Sequence, residues 1–158
     1  MKRSLSVKFL VLTLTLLVGS LAVTATERPF SLNGTGIAIP IIDDNGNFIG
    51  AEPTGSGNAT HLGMFTNAGK VTFTPDASNP TILHPAGGGV FTAANGDKLN
   101  FVIVSGALDL TTGIGTGDFD FTGGTGRFAN ATGRTSGVIE QNIVTGAYKL
   151  TLVGNIDY

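Results

Sequence analysis

The stretch that decides the fold is Gly123-Gly124-Thr125-Gly126-Arg127-Phe128-Ala129-Asn130-Ala131-Thr132-Gly133. It places four glycines and the apolar residues Phe128 and Ala131 directly after an alternating strand pattern. Glycine adopts positive φ angles without steric cost, so the stretch predicts a tight corner. Phe128 and Ala131 are expected to turn inward and close this corner. The stretch therefore indicates a structural role rather than a catalytic one.

Period-two patterns on both sides of this corner predict β-strands. Apolar and polar residues alternate within residues 70–74, 118–122 and 148–152, as they do in half-buried strands. Asn45-Gly46 and Asn95-Gly96 stand between apolar runs and favour the turns that match strand twist. After residue 25, no stretch shows a convincing helical period.

Roughly eight strands joined mostly by short turns form an antiparallel meander, which closes into a barrel or folds as a sandwich. We favour the barrel because closure removes exposed strand edges and because 24 glycines suit strongly coiled strands. Residues 75–89 contain three prolines and three successive glycines, and they are expected to form a long loop. The predicted fold is a single all-β domain over residues 26–158, an antiparallel eight-stranded β-barrel.

The N-terminal segment 1–25 predicts a signal peptide. Its basic start, with Lys2, Arg3 and Lys8, precedes an apolar run over residues 9–23 and small residues suited to cleavage. An uncleaved anchor is less favoured, because a run of about 15 residues is shorter than the roughly 20 that a spanning helix needs. We therefore expect a secreted or periplasmic protein with no membrane span after cleavage.

Composition excludes several kinds of partner. Removal of the signal leaves six basic and eleven acidic residues, a net charge of −5, which argues against nucleic acid as a partner. The chain has no cysteine, so disulfides and thiolate metal sites are excluded. His61 and His84, its only histidines, lack the spacing of a metal site. We expect no metal ion and no cofactor.

The corner resembles the dirigent and allene oxide cyclase-like barrel superfamily. Dirigent proteins show a strand ending in Gly-Gly-Thr-Gly, with Phe, Ala and Gly at matching offsets. Residues 59–66 and 91–97 are similar to small exported bacterial relatives of that barrel. The resemblance implies an eight-stranded barrel with a central cavity, and members often form trimers. The matching positions are Gly123, Gly124, Thr125, Gly126, Phe128, Ala131 and Gly133.

The activity of plant members is not carried over with this resemblance. Those proteins guide radical coupling or cyclise an epoxide, but Ala129 and Thr132 stand where plant dirigents have basic residues. No catalytic Asp, Arg, Tyr or Glu of the superfamily aligns with this chain. The shared element concerns closure of the barrel, so the resemblance supports the fold more than the chemistry.

Asp118 and Asp120 are candidate catalytic residues. They lie two apart and share one strand face, opposite Phe119 and Phe121. If that face lined a cavity, the adjacent carboxylates could act as acid and base. We favour the simpler interpretation, in which the phenylalanines face the core and the aspartates face water.

Four further residues near the corner are weaker candidates. Glu140 and Tyr148 could take part in catalysis, and Arg127 and Arg134 could bind a ligand. An inward Arg or Tyr could orient a polar ligand group in an apolar cavity. Surface placement is the favoured alternative for these side chains.

Three function classes remain open. The first, which we favour, is a non-catalytic barrel that binds a small hydrophobic molecule. The second is a cyclase, an isomerase or a coupling-guiding enzyme, and the third is a structural surface protein. The barrel interior separates them: convergent polar groups in an open cavity favour the enzyme, an apolar cavity favours binding, and a filled interior leaves the structural role.

Overall fold

The period-two patterns extend through eight strands that close on themselves. The computed structural model describes residues 26–158, so the predicted signal peptide lies outside the described residues. Each strand pairs antiparallel with the next, and the first pairs with the last. The predicted eight-stranded antiparallel barrel is therefore confirmed. Its strands are β1 (Arg28–Ile42), β2 (Phe48–Ala59), β3 (Gly63–Pro75), β4 (Ile82–Ala93), β5 (Lys98–Asp109), β6 (Ile114–Gly124), β7 (Thr132–Gln141) and β8 (Ala147–Ile156).

Short turns join the strands where Asn-Gly pairs predicted hairpins. Gly46, between β1 and β2, has a φ of 85°, and Gly96, between β4 and β5, has a φ of 88°. Thr145 and Gly146 lie in the turn that joins β7 to β8, and Gly146 has a φ of 74°. A single 3-10 turn, Gly126–Phe128, is the helical element in the described part of the chain. In residues 26–158, no helix is both long enough and apolar enough to cross a membrane.

The expectation of a long loop over residues 75–89 is wrong. β4 begins at Ile82, so only residues 76–81 connect it to β3. Pairing between β4 and β5 is interrupted from Leu83 to Gly87, and Pro85 lies within this irregularity. Proline is tolerated in a strand at such a bulge, because the ladder is already broken there.

One end of the barrel is filled by the corner at residues 123–133. Gly123 and Gly126 have φ angles of 88° and 56°, which a residue with a side chain adopts at a cost. The backbone N–H of Gly123 donates to the carbonyl oxygen of Ala131 at 2.7 Å and closes the corner. Phe128 is fully buried there, and its ring lies 5.0 Å from that of Tyr158. We call this end the plugged end.

The opposite end is less densely filled. Its small core cluster consists of Ala38, Ala51 and Tyr148, whereas the plugged end holds a cluster of fourteen buried residues. The residues of the small cluster lie near the end of β1, the start of β2 and the start of β8. These positions share one rim of the barrel, with the β1–β2, β3–β4, β5–β6 and β7–β8 turns. We call this rim the open end.

Truncation of the plugging side chain tests the role of the corner. Phe128→Ala is expected to lower the free energy of unfolding by about 3–5 kcal/mol, because it leaves a cavity in a fully buried site. Chemical denaturation followed by circular dichroism measures this loss. Phe48→Ala is the matched control, because Phe48 is 44% exposed and should lose much less. Near-normal stability of Phe128→Ala would show that the corner does not hold the barrel closed.

Candidate functional site

A partly open cavity of about 110 Å³ lies inside the barrel, towards the open end. Most of its lining is apolar, and four lining residues have polar side chains: Asn67, Thr116, Gln141 and Tyr148. None of the lining residues is charged. The full lining is Ala38, Ala51, Pro53, Asn67, Val71, Phe73, Pro85, Phe91, Phe101, Ile103, Ala107, Leu108, Thr116, Gly117, Phe119, Gly137, Ile139, Gln141, Tyr148 and Leu150.

Tyr148 crosses the inner wall of this cavity along a row of glycines. In the strand register, Tyr148 on β8 pairs with Gly36 on β1, and Gly36 pairs with Gly55 on β2. Gly55 in turn pairs with Asn67 on β3. A Cβ atom placed on Gly36 would lie 2.6 Å from the Tyr148 Oη, and one on Gly55 would lie 2.8 Å from it. The two glycines therefore provide the space in which the tyrosine lies against the wall and reaches β3.

Asn67 and Tyr148 form a hydrogen-bonded pair on the cavity wall. The Asn67 Nδ2 donates to the Tyr148 Oη at 3.0 Å, and the Asn67 Oδ1 lies 3.3 Å from the same hydroxyl. Burial raises the pKa of Tyr148 by disfavouring the phenolate, and the hydrogen bond from Asn67 only partly opposes this. Tyr148 is therefore neutral near pH 7 and can donate a hydrogen bond.

Asp118 and Asp120 lie on the outer face of β6. Asp118 accepts hydrogen bonds from Ser136 at 2.6 Å and from Ser105 at 2.9 Å. Asp120 accepts two from Arg134, at 2.6 and 2.8 Å. These bonds lower the pKa of both carboxyl groups, through Ser136 first for Asp118 and through Arg134 for Asp120. The aspartates are held as ionised surface groups and do not line the cavity.

On the inner face of the same strand, Phe121 is buried in the core and Phe119 packs against it. The phenylalanines and aspartates thus divide between core and surface as the simpler interpretation expected. The condition that the catalytic hypothesis required, carboxylates facing the cavity, is absent from the described structure.

The remaining charged candidates also lie on the surface. The Arg127 Nε lies 4.0 Å from an Asp97 carboxylate oxygen at the plugged end. The Glu140 carboxylate lies 3.5 Å from the Lys149 Nζ, and both side chains are 56% exposed. Of the six candidate catalytic and ligand-binding residues, Tyr148 alone lines the cavity. Glu140 lies near it, on a more open depression of the surface that Tyr148 also borders. The other four candidates line neither the cavity nor that depression.

Asn67 is the polar wall residue that the sequence did not indicate as part of a site. It occupies an inward position of β3, in the period-two series that includes Phe65, Val71 and Phe73. A polar residue within an otherwise apolar inward series was the available signal. No motif marks it, and its partner lies 81 residues away.

His61 and His84 belong to no cluster of potential metal ligands in the described part of the chain. Over residues 26–158, no group of three or more His, Cys, Asp or Glu side chains is arranged to hold an ion. The His61 Nε2 lies 3.0 Å from the carbonyl oxygen of Pro29, and its ring lies 5.6 Å from that of Tyr158. His61 therefore packs at the plugged end, away from the cavity.

His84 spans the gap in the β4–β5 pairing, beside the wall residue Pro85. Its Nδ1 lies 3.0 Å from the carbonyl oxygen of Gly106 on β5, and its Nε2 lies 3.1 Å from the Asp76 Oδ2. Both oxygens are acceptors, so both ring nitrogens must donate, which only the protonated imidazole can do. The pKa of His84 is raised, by the hydrogen bond to Asp76 first and by that to Gly106 second.

The closed eight-stranded barrel has a dirigent-like fold. A solved structure of the pterocarpan synthase dirigent protein matches with a TM-score of 0.54 and 10% sequence identity, over 84% of this chain and 86% of that chain. No protein-family model and no curated protein matches this chain by sequence. At this identity the likeness establishes the fold alone, and the predicted dirigent-like barrel is confirmed at that level.

The His84 bridge predicts a pH-dependent contribution to stability. Because the folded-state pKa is raised above 6.5, the contribution should be fully present below pH 6.5 and lost as the pH rises through the folded-state pKa. The pKa of Asp76 is lowered, first by Ser78 and then by His84, so its carboxylate stays ionised throughout. Denaturation of wild type and His84→Asn should therefore show a stability difference that shrinks with rising pH. A difference independent of pH from 5 to 9, roughly the span of histidine titration, would contradict the bridge.

Proposed function

We propose that this protein is a non-catalytic binder of a small hydrophobic molecule held in the barrel. The observation that carries the proposal is the partly open cavity of about 110 Å³ with a predominantly apolar lining. An apolar protein cavity of about 150 Å³ stays dry and binds benzene. By that comparison, the ligand is compact, on the scale of a single ring or a short branched chain.

The apolar lining also favours ligand binding over catalysis as the function of the cavity. Transfer of an apolar ligand from water to such a wall is favourable in proportion to the apolar area buried. Proton-transfer catalysis is most efficient with a group whose pKa lies near the working pH. The raised pKa of Tyr148 moves this residue away from that range, and Asp118, Asp120 and Glu140 lie outside the cavity.

The second candidate function is a cyclase, isomerase or coupling-guiding activity on a hydrophobic substrate. The convergence of Asn67 and Tyr148 in the cavity favours it, because neutral donors can polarise a substrate oxygen. The solved dirigent structure is a pterocarpan synthase, and that activity is a property of that protein. We rank this function below binding, because the cavity lining supplies no charged group.

On this proposal the protein acts outside the cytoplasm, as the predicted signal peptide implies. A homo-oligomer, in particular a trimer, follows from the superfamily resemblance and remains a prediction. Native mass spectrometry of the mature protein from its own host would report both the oligomer and any molecule that co-purifies. A structural surface protein is the remaining alternative, and it requires that no small molecule enters the barrel.

Filling the cavity tests the proposed function. Ala51→Leu adds three carbon atoms to a wall residue and should weaken the binding of toluene about tenfold or more, since one excess methylene in an apolar pocket already has an effect of this order. Ala68→Leu is the matched control, because Ala68 is an exposed residue of the neighbouring strand and should leave binding unchanged. NMR titration of methyl signals measures both dissociation constants. If wild type does not bind toluene at all, the proposed function is wrong.

A further inference from the structure

The hydrogen-bonding capacity of the Asn67–Tyr148 pair is not used up within the protein. Asn67 has two N–H donors and a carbonyl acceptor, and Tyr148 has one donor and an acceptor oxygen. Their side-chain hydrogen bonds in the described structure are to each other. If the amide donates to the phenol oxygen, the phenol proton and the amide oxygen remain free. If the phenol donates instead, the two amide N–H groups and the phenol oxygen remain free. In either arrangement, the cavity wall offers at least one donor and one acceptor.

The position of this pair is built into the barrel wall. Gly36 and Gly55 lie between the two residues in the same cross-strand row. A Cβ atom on Gly55 would lie 2.8 Å from the Tyr148 Oη and 2.9 Å from the Asn67 Oδ1. Because both polar atoms lie tightly against these glycines, their places are fixed before a ligand arrives. Such preorganisation lowers the cost of binding.

The group that this pair recognises should be neutral. An ionised carboxylate or amine in an apolar cavity costs much free energy unless an opposite charge accompanies it, and the cavity lining holds no charged side chain. The other polar residues of the lining, Thr116 and Gln141, are neutral as well. A carbonyl or ether oxygen would satisfy only the donors of the pair. A hydroxyl group satisfies a donor and an acceptor together.

We propose that the barrel selects compact hydrophobic molecules that carry one hydroxyl group, an alcohol or a phenol, and that Asn67 and Tyr148 bind this hydroxyl. The inference rests on the proposed function, because it names the ligand class of the same cavity. The apolar wall binds the hydrocarbon part, and the pair at the β3–β8 row binds the oxygen. Selection against a matched hydrocarbon arises because the hydrocarbon leaves the pair unsatisfied.

Phenol and toluene form the matched pair of probes, since they differ only by a hydroxyl in place of a methyl group. Tyr148→Phe keeps the ring against Gly36 and Gly55 and removes only the hydroxyl. It should weaken phenol binding about three- to tenfold, the range of one net hydrogen bond, and leave toluene binding unchanged. The chain has two tyrosines, so Tyr158→Phe at the plugged end is the control and should alter neither constant. NMR titration of methyl signals gives all six dissociation constants.

The possible outcomes separate the two proposals. Binding of both probes, with a loss for phenol alone in Tyr148→Phe, supports the hydroxyl assignment. Binding of both probes with no selective loss overturns that assignment and leaves the proposed function standing. Binding of neither probe to wild type overturns both. Should Tyr148→Phe fail to fold, Asn67→Val tests the same bond from the other strand, and it should show the same selective loss.

Discussion

The width of a closed eight-stranded barrel is the constraint on which the rest of this structure depends. Strands of this number leave an interior that side chains nearly fill, so a large inward ring that lies along the wall needs a small residue on a neighbouring strand beneath it. Gly34 and Phe65 illustrate this, since a Cβ on the glycine would lie 3.1 Å from the ring. At Gly89, it would lie 2.9 Å from the ring of Phe101. Glycines such as Gly34 and Gly89 therefore make room for aromatic rings in the barrel, whereas others in the chain form turns.

The same constraint gives the barrel two different ends. At the plugged end, the corner inserts Phe128 into a continuous aromatic and aliphatic core. At the open end, Ala38 and Ala51 are the buried partners of Tyr148, and alanines leave space that leucines or phenylalanines would fill. The cavity is thus the result of small residues at one level of the barrel rather than of a missing element. The large core cluster and the proposed binding cavity therefore lie towards opposite ends of the barrel.

The sequence predicted the strands well because period-two alternation and Asn-Gly turns are local signals. The prediction of a loop over residues 75–89 was wrong because proline and glycine occur both in loops and in bulged strands. The cavity pair could not be predicted, since Asn67 and Tyr148 lie 81 residues apart and meet only through the register of four strands. The outward direction of Asp118 and Asp120 was predictable, because they alternate with phenylalanines along one strand.

Charged side chains lie on the outer face of the barrel wall, and the side chains that line the cavity are neutral. The carboxylates of β6 are held ionised outside by Ser136 and Arg134, while the groups that face the cavity are neutral. In the proposed function, selectivity would therefore come from the shape of the cavity and from single hydrogen bonds. His84, whose pKa is raised by its hydrogen bonds to Asp76 and Gly106, bridges β4 and β5 beside the cavity. A pH response through His84 should therefore act on the integrity of the wall. In the proposed function, the affinity of Asn67 and Tyr148 for a neutral ligand should not change around neutral pH, because neither side chain changes its charge there.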